Sequence, residues 1–343
     1  MEVSTIGLDL AKNVFQAHGI DAAGNVTVCK TLRRQQVIPF FTKLSSCIVG
    51  LEACGTSHYW ARELTKLGHE VKLMPPAYVK PYVKRGKTDA GDAEAICEAV
   101  TRPRMRFVAV KTADQQAALS LHRTRDLLVR QRTQSVNMIR GLLAEFGIVI
   151  AKGIWNALQL TERVVKGESL ELPPAAKHAI RHLAEQAHAL QSRIADLDRE
   201  LQAWFRGNET AKRLKTIPGV GVLSASALAS SLADPHQFRS GRQFAAWLGL
   251  TPLARSSGGK ERMGRISKMG DGYIRRLLVS GMMSQLRWAK THPEEAPPWL
   301  VGLLERKPTK LVAVALANKT ARIAWVVMTR GESYRAPQAA QAA

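Results

Sequence analysis

The chain has 343 residues, with 50 Lys and Arg against 28 Asp and Glu, a formal net charge of +22. That length implies two or three domains with ample core, and 45% hydrophobic residues with 25 Gly and 15 Pro exclude wholesale disorder. The excess of cations points to a polyanion partner, either nucleic acid or an anionic membrane surface. Cys29, Cys47, Cys54 and Cys97 form no C-x-x-C pair and have no His at ligand spacing, which argues against a zinc ribbon or a disulfide scaffold. They read as reduced cysteines of a cytosolic protein. Asp9 and Lys12 stand where a signal peptide needs an apolar run. Of the two most apolar stretches, Ile217 to Ala233 is short and rich in small residues, and Leu311 to Met328 contains Lys319 and Arg322. Nucleic acid is the expected partner, with no membrane.

Residues 1–112 read as an α/β domain. Val3 to Leu8, Val14 to Ile20 and Val26 to Leu32 are apolar runs, the last two separated by the turn Asp21 to Asn25, so two consecutive hairpins are expected. Cys47 to Leu51 is a further buried-looking strand, followed by a helix from about Ser57 to Leu67 and a strand from Glu70 to Met74 that Pro75 and Pro76 stop. Three antiparallel-type strands followed by strand, helix and strand is the element order of an RNase H-like sheet.

Two of these strands end at an acid, Asp9 and Glu52. Farther on, Asp89 and Asp92 open a helix that runs to Val100, and their i, i+3 spacing puts them on one face. Four carboxylates converging from strand, strand and helix cannot all stay ionised without counter-cations. A pair of divalent metals relieves that repulsion and clamps the attacking and leaving oxygens of a phosphodiester. Oxygen ligands without His or Cys favour Mg²⁺ or Mn²⁺ over zinc. The plainer alternative is that Asp9 caps a turn and that Asp89 and Asp92 merely favour a helix N-terminus. A Gly-x-Asp start before a hairpin also occurs in actin-like ATPases, but their Gly-rich phosphate loops are missing here.

Residues 113–208 change character. Ile180, Leu183, Ala187, Leu190, Ile194, Leu197, Leu201 and Trp204 recur in steps of three and four, a heptad seam of about 36 Å. Upstream, Leu121, Leu128, Ser135 and Leu142 share a register of seven. A long helical hairpin, or a coiled coil joining subunits into a dimer or tetramer, is expected. A bundle packed within one chain is the alternative.

Residues 209–330 are rich in small residues and Arg. Thr216 to Leu228 has the form of a helix-hairpin-helix in which Gly219 and Gly221 free backbone N–H groups to hold phosphate, with a purely structural hairpin as the alternative. Phe244 to Leu250 reads as a buried helix stopped by Pro252. A basic Ser-Gly segment follows, in which Arg255, Lys260, Arg262, Arg265, Lys268, Arg275 and Arg276 face only Glu261 and Asp271. No His lies near its serines to act as base, so spacing alone assigns no nucleophile. Residues 331–343 are expected to fray.

Together these motifs look familiar. Gly7-Leu8-Asp9-Leu-Ala-Lys12, Glu52-Ala-Cys-Gly55, Lys87-Thr-Asp89-x-x-Asp92-Ala93, Ile217-Pro-Gly-Val-Gly221 and Leu250-Thr-Pro252 followed by Ser256-Ser257-Gly258-Gly259-Lys260 occur in this order. The chain thereby resembles the DEDD transposases, recombinases of bacterial insertion sequences related to the Piv-type DNA invertases, from residue 5 to about 328. One departure is Cys54, where the family commonly has Thr.

The resemblance implies an RNase H-like (RuvC-like) domain over 1–112 holding Asp9, Glu52, Asp89 and Asp92 around Mg²⁺ or Mn²⁺. It further implies a coiled-coil region over 113–208 and a mostly helical transposase domain over 209–330. In similar proteins the serine before Gly attacks DNA and becomes linked to it, which maps to Ser257, with Ser256 as the register alternative. The family also uses a structured guide (bridge) RNA that pairs with donor and target DNA in the bacterial cytoplasm, at the nucleoid. The competing functions are a metal-dependent nuclease of the junction-resolvase type and a non-catalytic nucleic-acid-binding architectural protein.

Overall fold

A computed structural model describes residues 2–84, 86, 88–168, 171–255 and 262–336. Its first sheet follows directly from side-chain alternation. β1 (Thr5–Asp9) is buried over four of its five residues, β2 (Val14–Ile20) alternates exposed and buried, and β3 (Val26–Arg33) is mostly exposed at the sheet edge. After a short helix, α1 (Val37–Thr42), the chain forms β4 (Ile48–Glu52), α2 (Ser57–Lys66) and β5 (Glu70–Met74), then the single turn α3 (Pro76–Val79) and α4 (Asp89–Val100). The strand order is β3-β2-β1-β4-β5, antiparallel on the β3 side and parallel from β1 to β5. The expected pair of hairpins and the strand-helix-strand are therefore present as a mixed α/β layer.

Alternation along β1 divides the core between the two faces. Ile6 and Leu8 join Phe15, Phe41, Trp60 and Leu64 under α1 and α2, while α4 covers the other face with Ile96, Ala99 and Val100. Cys47 and Cys97 are buried, Cys29 and Cys54 are exposed, and all four are free thiols. Met1–Gln116 with Ser231–Arg239 make one compact unit, and Ala117–Ser230 with Ser240–Ala343 make the other. The returning piece is tied into the first unit by Gln237 Oε1, which accepts the Ala109 N–H at 3.4 Å.

The second unit is mostly helical. α5 (Ala113–Ala144) and α7 (Pro174–Gly207) are long, with α6 (Ile154–Val165) between them in sequence. The α7 seam is where the heptads put it, since Ile180, Ala187, Leu190, Ile194 and Leu201 are all buried. Its cover, however, comes from the same chain, because Ile180 packs with Ile139 and Leu143 of α5, and Ala187 with Val136 and Ala157. This is the intrachain alternative, and the seam on its own no longer argues for an oligomer. Of the α5 register Leu121, Leu128, Ser135 and Leu142 only Ser135 is buried: the buried face runs through Ala118, His122, Ser135, Val136, Ile139 and Leu143. That face was illegible because Arg125 and Arg132 interrupt it, and these pair with Asp198 and Gln191 of α7.

Beyond α7 come α8 (Glu209–Lys215), α9 (Val222–Ser231), α10 (Gly241–Trp247), the hairpin of β6 (Pro252–Ala254) and β7 (Met263–Ile266), then α11 (Gly272–Thr291), α12 (Pro298–Arg306) and α13 (Thr309–Arg330). α13 is the one described helix long and apolar enough to cross a membrane by length and composition. It packs on α10 and α11 and buries Val312, Ala313, Ala317, Ala321 and Ala324 there. Residues 331–336, counted with the frayed tail on sequence grounds, turn back, and the Tyr334 N–H donates to Thr216 Oγ1 at 2.8 Å. Residues 337–343 lie outside the described residues.

Candidate active site

Asp9 is the last residue of β1 and Glu52 the last of β4. The two strands are parallel neighbours in the register Leu8↔Leu51, so both carboxylates leave the same sheet edge side by side. Asp89 and Asp92 reach that edge because α4 lies directly on the backbone of β1. A Cβ on Gly7 would stand 2.2 Å from the Ala93 carbonyl oxygen and 2.3 Å from the Cys97 nitrogen, so only glycine permits this approach. Thr88 caps the helix, its Oγ1 accepting the Gly91 N–H at 3.1 Å, and the first turn then favours the two carboxylates through its free N–H groups.

Burial, and then the charges of Asp92, Asp89 and Glu52, push the Asp9 carboxyl up to about 6, against the opposing pull of the Leu10 N–H. Burial, followed by Asp92, raises Glu52 as well. Asp92, Asp89 and Glu52 are thus close enough to oppose the ionisation of Asp9, and Asp92 that of Glu52. A cleft of about 640 Å³ opens at this point, lined by Glu52 and Asp92 and by Lys80 and Lys84, the last paired with Glu94 at 2.6 Å. The donor set is all oxygen, and excess negative charge is what a hard divalent cation relieves, so the residues fit such an ion chemically. Among the described residues no group of three or more His, Cys, Asp and Glu side chains is drawn together as a metal cage.

The second constellation lies in the helical unit. β6 and β7 pair antiparallel, and the Arg255 N–H donates to the Arg262 carbonyl at 2.8 Å, closing the base of the Ser-Gly segment. Ser256, Ser257 and Lys260 fall outside the described residues. Arg255, Arg262, Arg265 and Lys268 are exposed on the hairpin and its exit. That exit is locked onto α10: Gly249 and Gly270 both have positive φ, and a Cβ on Gly270 would lie 1.9 Å from the Trp247 carbonyl oxygen.

Two of the cations assigned to nucleic acid have work inside the fold. Arg275 Nη1 donates to the Leu248 and Met269 carbonyls, both at 2.8 Å, and Arg276 pairs with Asp126 at 2.5 Å. Gly219 is likewise structural, since its φ of +79 lets the turn between α8 and α9 press on α11, where Gly281 would clash with the Gly219 oxygen at 2.1 Å if it carried a Cβ. Gly221 faces open space at the start of α9.

Sequence reasoning missed His122. Its Nδ1 lies 3.0 Å from Tyr273 Oη and its Nε2 3.1 Å from Ser226 Oγ, which joins α5, α9 and α11 through one buried ring. Burial, then the charge of Arg125, pull its pKa down to about 4. The available signal was its place four residues after Ala118 on the buried face.

Comparison with known proteins identifies two matched regions, one around each constellation. Residues 6–148 match a DEDD transposase family model described as "Transposase", and residues 211–296 match one described as "Transposase IS116/IS110/IS902 family". A probable family 20 transposase of Pseudomonas aeruginosa is 50% identical over 98% of this chain and 99% of its own length. The transposase of insertion sequence element IS1328 from Yersinia enterocolitica is 43% identical over 96% and 98%, and that of IS1111A from Coxiella burnetii 39% over 97% and 92%. With the acids at one sheet edge and the basic hairpin both inside matched regions, the chain belongs to the DEDD transposases of the IS110/IS116/IS902 family and acts in the transposition of an insertion sequence.

Proposed function

We propose that this transposase cuts and rejoins donor and target DNA with two sets of residues: Asp9, Glu52, Asp89 and Asp92 on an RNase H-like sheet, and Ser257 in the basic Ser-Gly segment. The observation that carries the reading is the parallel register that ends β1 at Asp9 and β4 at Glu52 beside the first turn of α4, where burial and then the charges of Asp92, Asp89 and Glu52 raise the Asp9 carboxyl. The strand order β3-β2-β1-β4-β5 supports the RNase H-like assignment. Mg²⁺ or Mn²⁺ is the cation proposed, and when bound it supplies charge neutralisation at the scissile phosphate. The four carboxylates hold and orient that charge.

Ser257 Oγ attacks phosphorus and gives up its hydroxyl proton, a phosphorus–oxygen bond to deoxyribose breaks, and the departing oxygen takes up one proton in exchange, so the step is a balanced transesterification. The phosphoserine ester conserves the bond, so a hydroxyl from a second strand can reverse the step without an external energy source. Arg255, Lys260, Arg262, Arg265 and Lys268 draw in the phosphate and offset charge on its oxygens, and the Gly221 end of α9 holds the backbone without reading sequence. The likeness to bridge-RNA-guided members extends the proposal to a structured guide RNA as partner, to action as a homo-oligomer and to the bacterial cytoplasm.

The test is a denaturing gel of protein incubated with Mg²⁺, labelled DNA and guide RNA. Wild type and Ser256→Ala should give a covalent adduct, and Ser257→Ala none, with DNA affinity nearly unchanged. An adduct that persists in Ser257→Ala, or disappears only in Ser256→Ala, overturns the assignment. Cleavage without any adduct would point to a nuclease instead.

A further inference from the structure

The helix that looks most like a membrane span carries a different feature on its outer side. Lys319, Arg322, Ile323, Val326 and Arg330 follow one another along α13 at helical spacing; the three cations are exposed, and the Arg322 backbone lies beside Gly241 at the start of α10. The helix ends at Gly331 in the left-handed region, with φ +67, and the chain doubles back to the Tyr334 anchor on Thr216. Helix and returning chain enclose a cleft of about 620 Å³ whose floor is apolar, Ile323, Val326 and Val327, and whose walls carry Lys319, Arg322, Arg330 and Arg335 against one acid, Glu332.

Among the described residues none of these four cations is paired with a carboxylate. Lys319 is held in place by an aromatic ring instead, its Nζ 4.0 Å from the centre of Trp299. Four like charges around one apolar floor repel one another unless a polyanion occupies the cleft. A membrane surface would meet a continuous apolar face, whereas here the apolar strip is narrow and walled by cations. That pairing of a cationic wall with an apolar platform suits an unpaired nucleic-acid strand, with phosphates on the cations and bases or sugars on the floor. The same helix is tied to the chain ahead of the basic hairpin: Asn318, the residue before Lys319, donates from Nδ2 to the Leu250 carbonyl at 3.1 Å, two residues before β6.

We infer that the cleft between α13 and residues 332–335 binds an unpaired DNA strand through Lys319, Arg322, Arg330 and Arg335. It is a second contact, outside the Ser-Gly hairpin, and it rests on the family's action on DNA but on no step of the proposed serine chemistry. A transposase that opens a duplex must hold the strand it has separated, and this cleft is formed by a helix tied to the chain just ahead of the hairpin.

The experiment is fluorescence anisotropy with a labelled, unstructured single-stranded DNA and the full chain, without metal, as a function of salt. A single-stranded site loses about 0.7 in the slope of log affinity against log salt for each phosphate contact removed. Replacing all four cations with Gln should therefore lower the slope by about 3. The wild type should then lose about 50-fold more affinity than the variant between about 50 and 200 mM salt. A variant with Lys319→Arg, Arg322→Lys, Arg330→Lys and Arg335→Lys keeps the charge and should retain the wild-type slope, which separates binding from folding damage.

An unchanged slope in the Gln variant overturns the inference. So does a chain truncated after Ala336 that binds the DNA much more tightly than the full chain, since the tail would then be the natural occupant. Loss of binding to anionic phospholipid vesicles in the Gln variant, with DNA binding intact, would assign the cleft to a membrane. Because the readout is binding alone, adduct formation by Ser257 can fail while this result stands, and the reverse.

Discussion

Gly7→Ala should disable the enzyme without touching any acid. The added Cβ would sit 2.2 Å from the Ala93 carbonyl oxygen, 2.3 Å from the Cys97 nitrogen and 2.8 Å from the Cys97 Cα, all of them backbone atoms of α4 that no rotamer change can move. Ordinary contact begins at 3.4 Å, so the shortfall at the oxygen is 3.4 − 2.2 = 1.2 Å, and α4 must lift by about that much. Overpacking of this kind costs about 1–3 kcal/mol. The lift also carries Asp89 and Asp92 away from Asp9 and Glu52, and a misplacement of about 1 Å in a catalytic group costs about 100-fold in rate. Gly50→Ala meets Val100 Cβ at 2.9 Å and Ile96 Cγ2 at 3.2 Å, so a shift of only about 0.5 Å relieves it, and Gly55→Ala meets nothing within 4 Å. Thermal melts and DNA cleavage measured on the three variants should therefore rank Gly7→Ala as the most damaged, Gly50→Ala as intermediate and Gly55→Ala as the least destabilised. A Gly7→Ala protein with wild-type melting and cleavage would refute the idea that backbone contact between β1 and α4 sets the acid geometry.

His122 makes stability depend on pH. Its folded pKa of about 4 lies below the ordinary 6.5, so between those values the unfolded chain binds the extra proton. The stability is complete above about pH 6.5 and falls as pH drops towards 4, by about 3 kcal/mol. In urea titrations His122→Gln should lose less stability than wild type across that window, and a parallel loss in both would contradict the assignment. Leu190→Asp combined with Leu197→Asp should unfold the helical unit rather than dissociate subunits, because Leu190 is buried within its own chain and an unpaired carboxylate there is costly. Circular dichroism and light scattering that show an intact fold with a smaller oligomer would restore the seam to an interface between subunits.

Much of the first unit is legible because one-dimensional signals coincide there. β2 and β5 have the bounds expected from alternation and from Pro75, and α4 starts at Asp89 where Thr88 caps it. The convergence of Asp9 with Asp92 is less legible, since it depends on Gly7 having no side chain, and a glycine in a strand says only that something comes close. The helical unit shows the opposite balance. The α7 heptads name the right residues but cannot say what covers them, and their partner face on α5 is hidden by Arg125, Arg132 and His122, polar groups that are satisfied only across the interface. Arg275 illustrates the same limit at the surface. A cation beside a Gly-rich loop reads as a phosphate ligand, and only the folded chain reveals that its guanidinium fastens Leu248 to Met269.

The central claim is that four acids at one sheet edge carry out strand cleavage. It is tested most directly by cleavage of labelled DNA by Asp9→Asn, Glu52→Gln, Asp89→Asn and Asp92→Asn, each a near-isosteric loss of one charge, with DNA binding followed in parallel. Each variant should bind DNA about as well as wild type and lose cleavage by about 100-fold or more, because the charge that orients the scissile phosphate is held by the set and not by one member. Full cleavage in any two of the four would contradict the account.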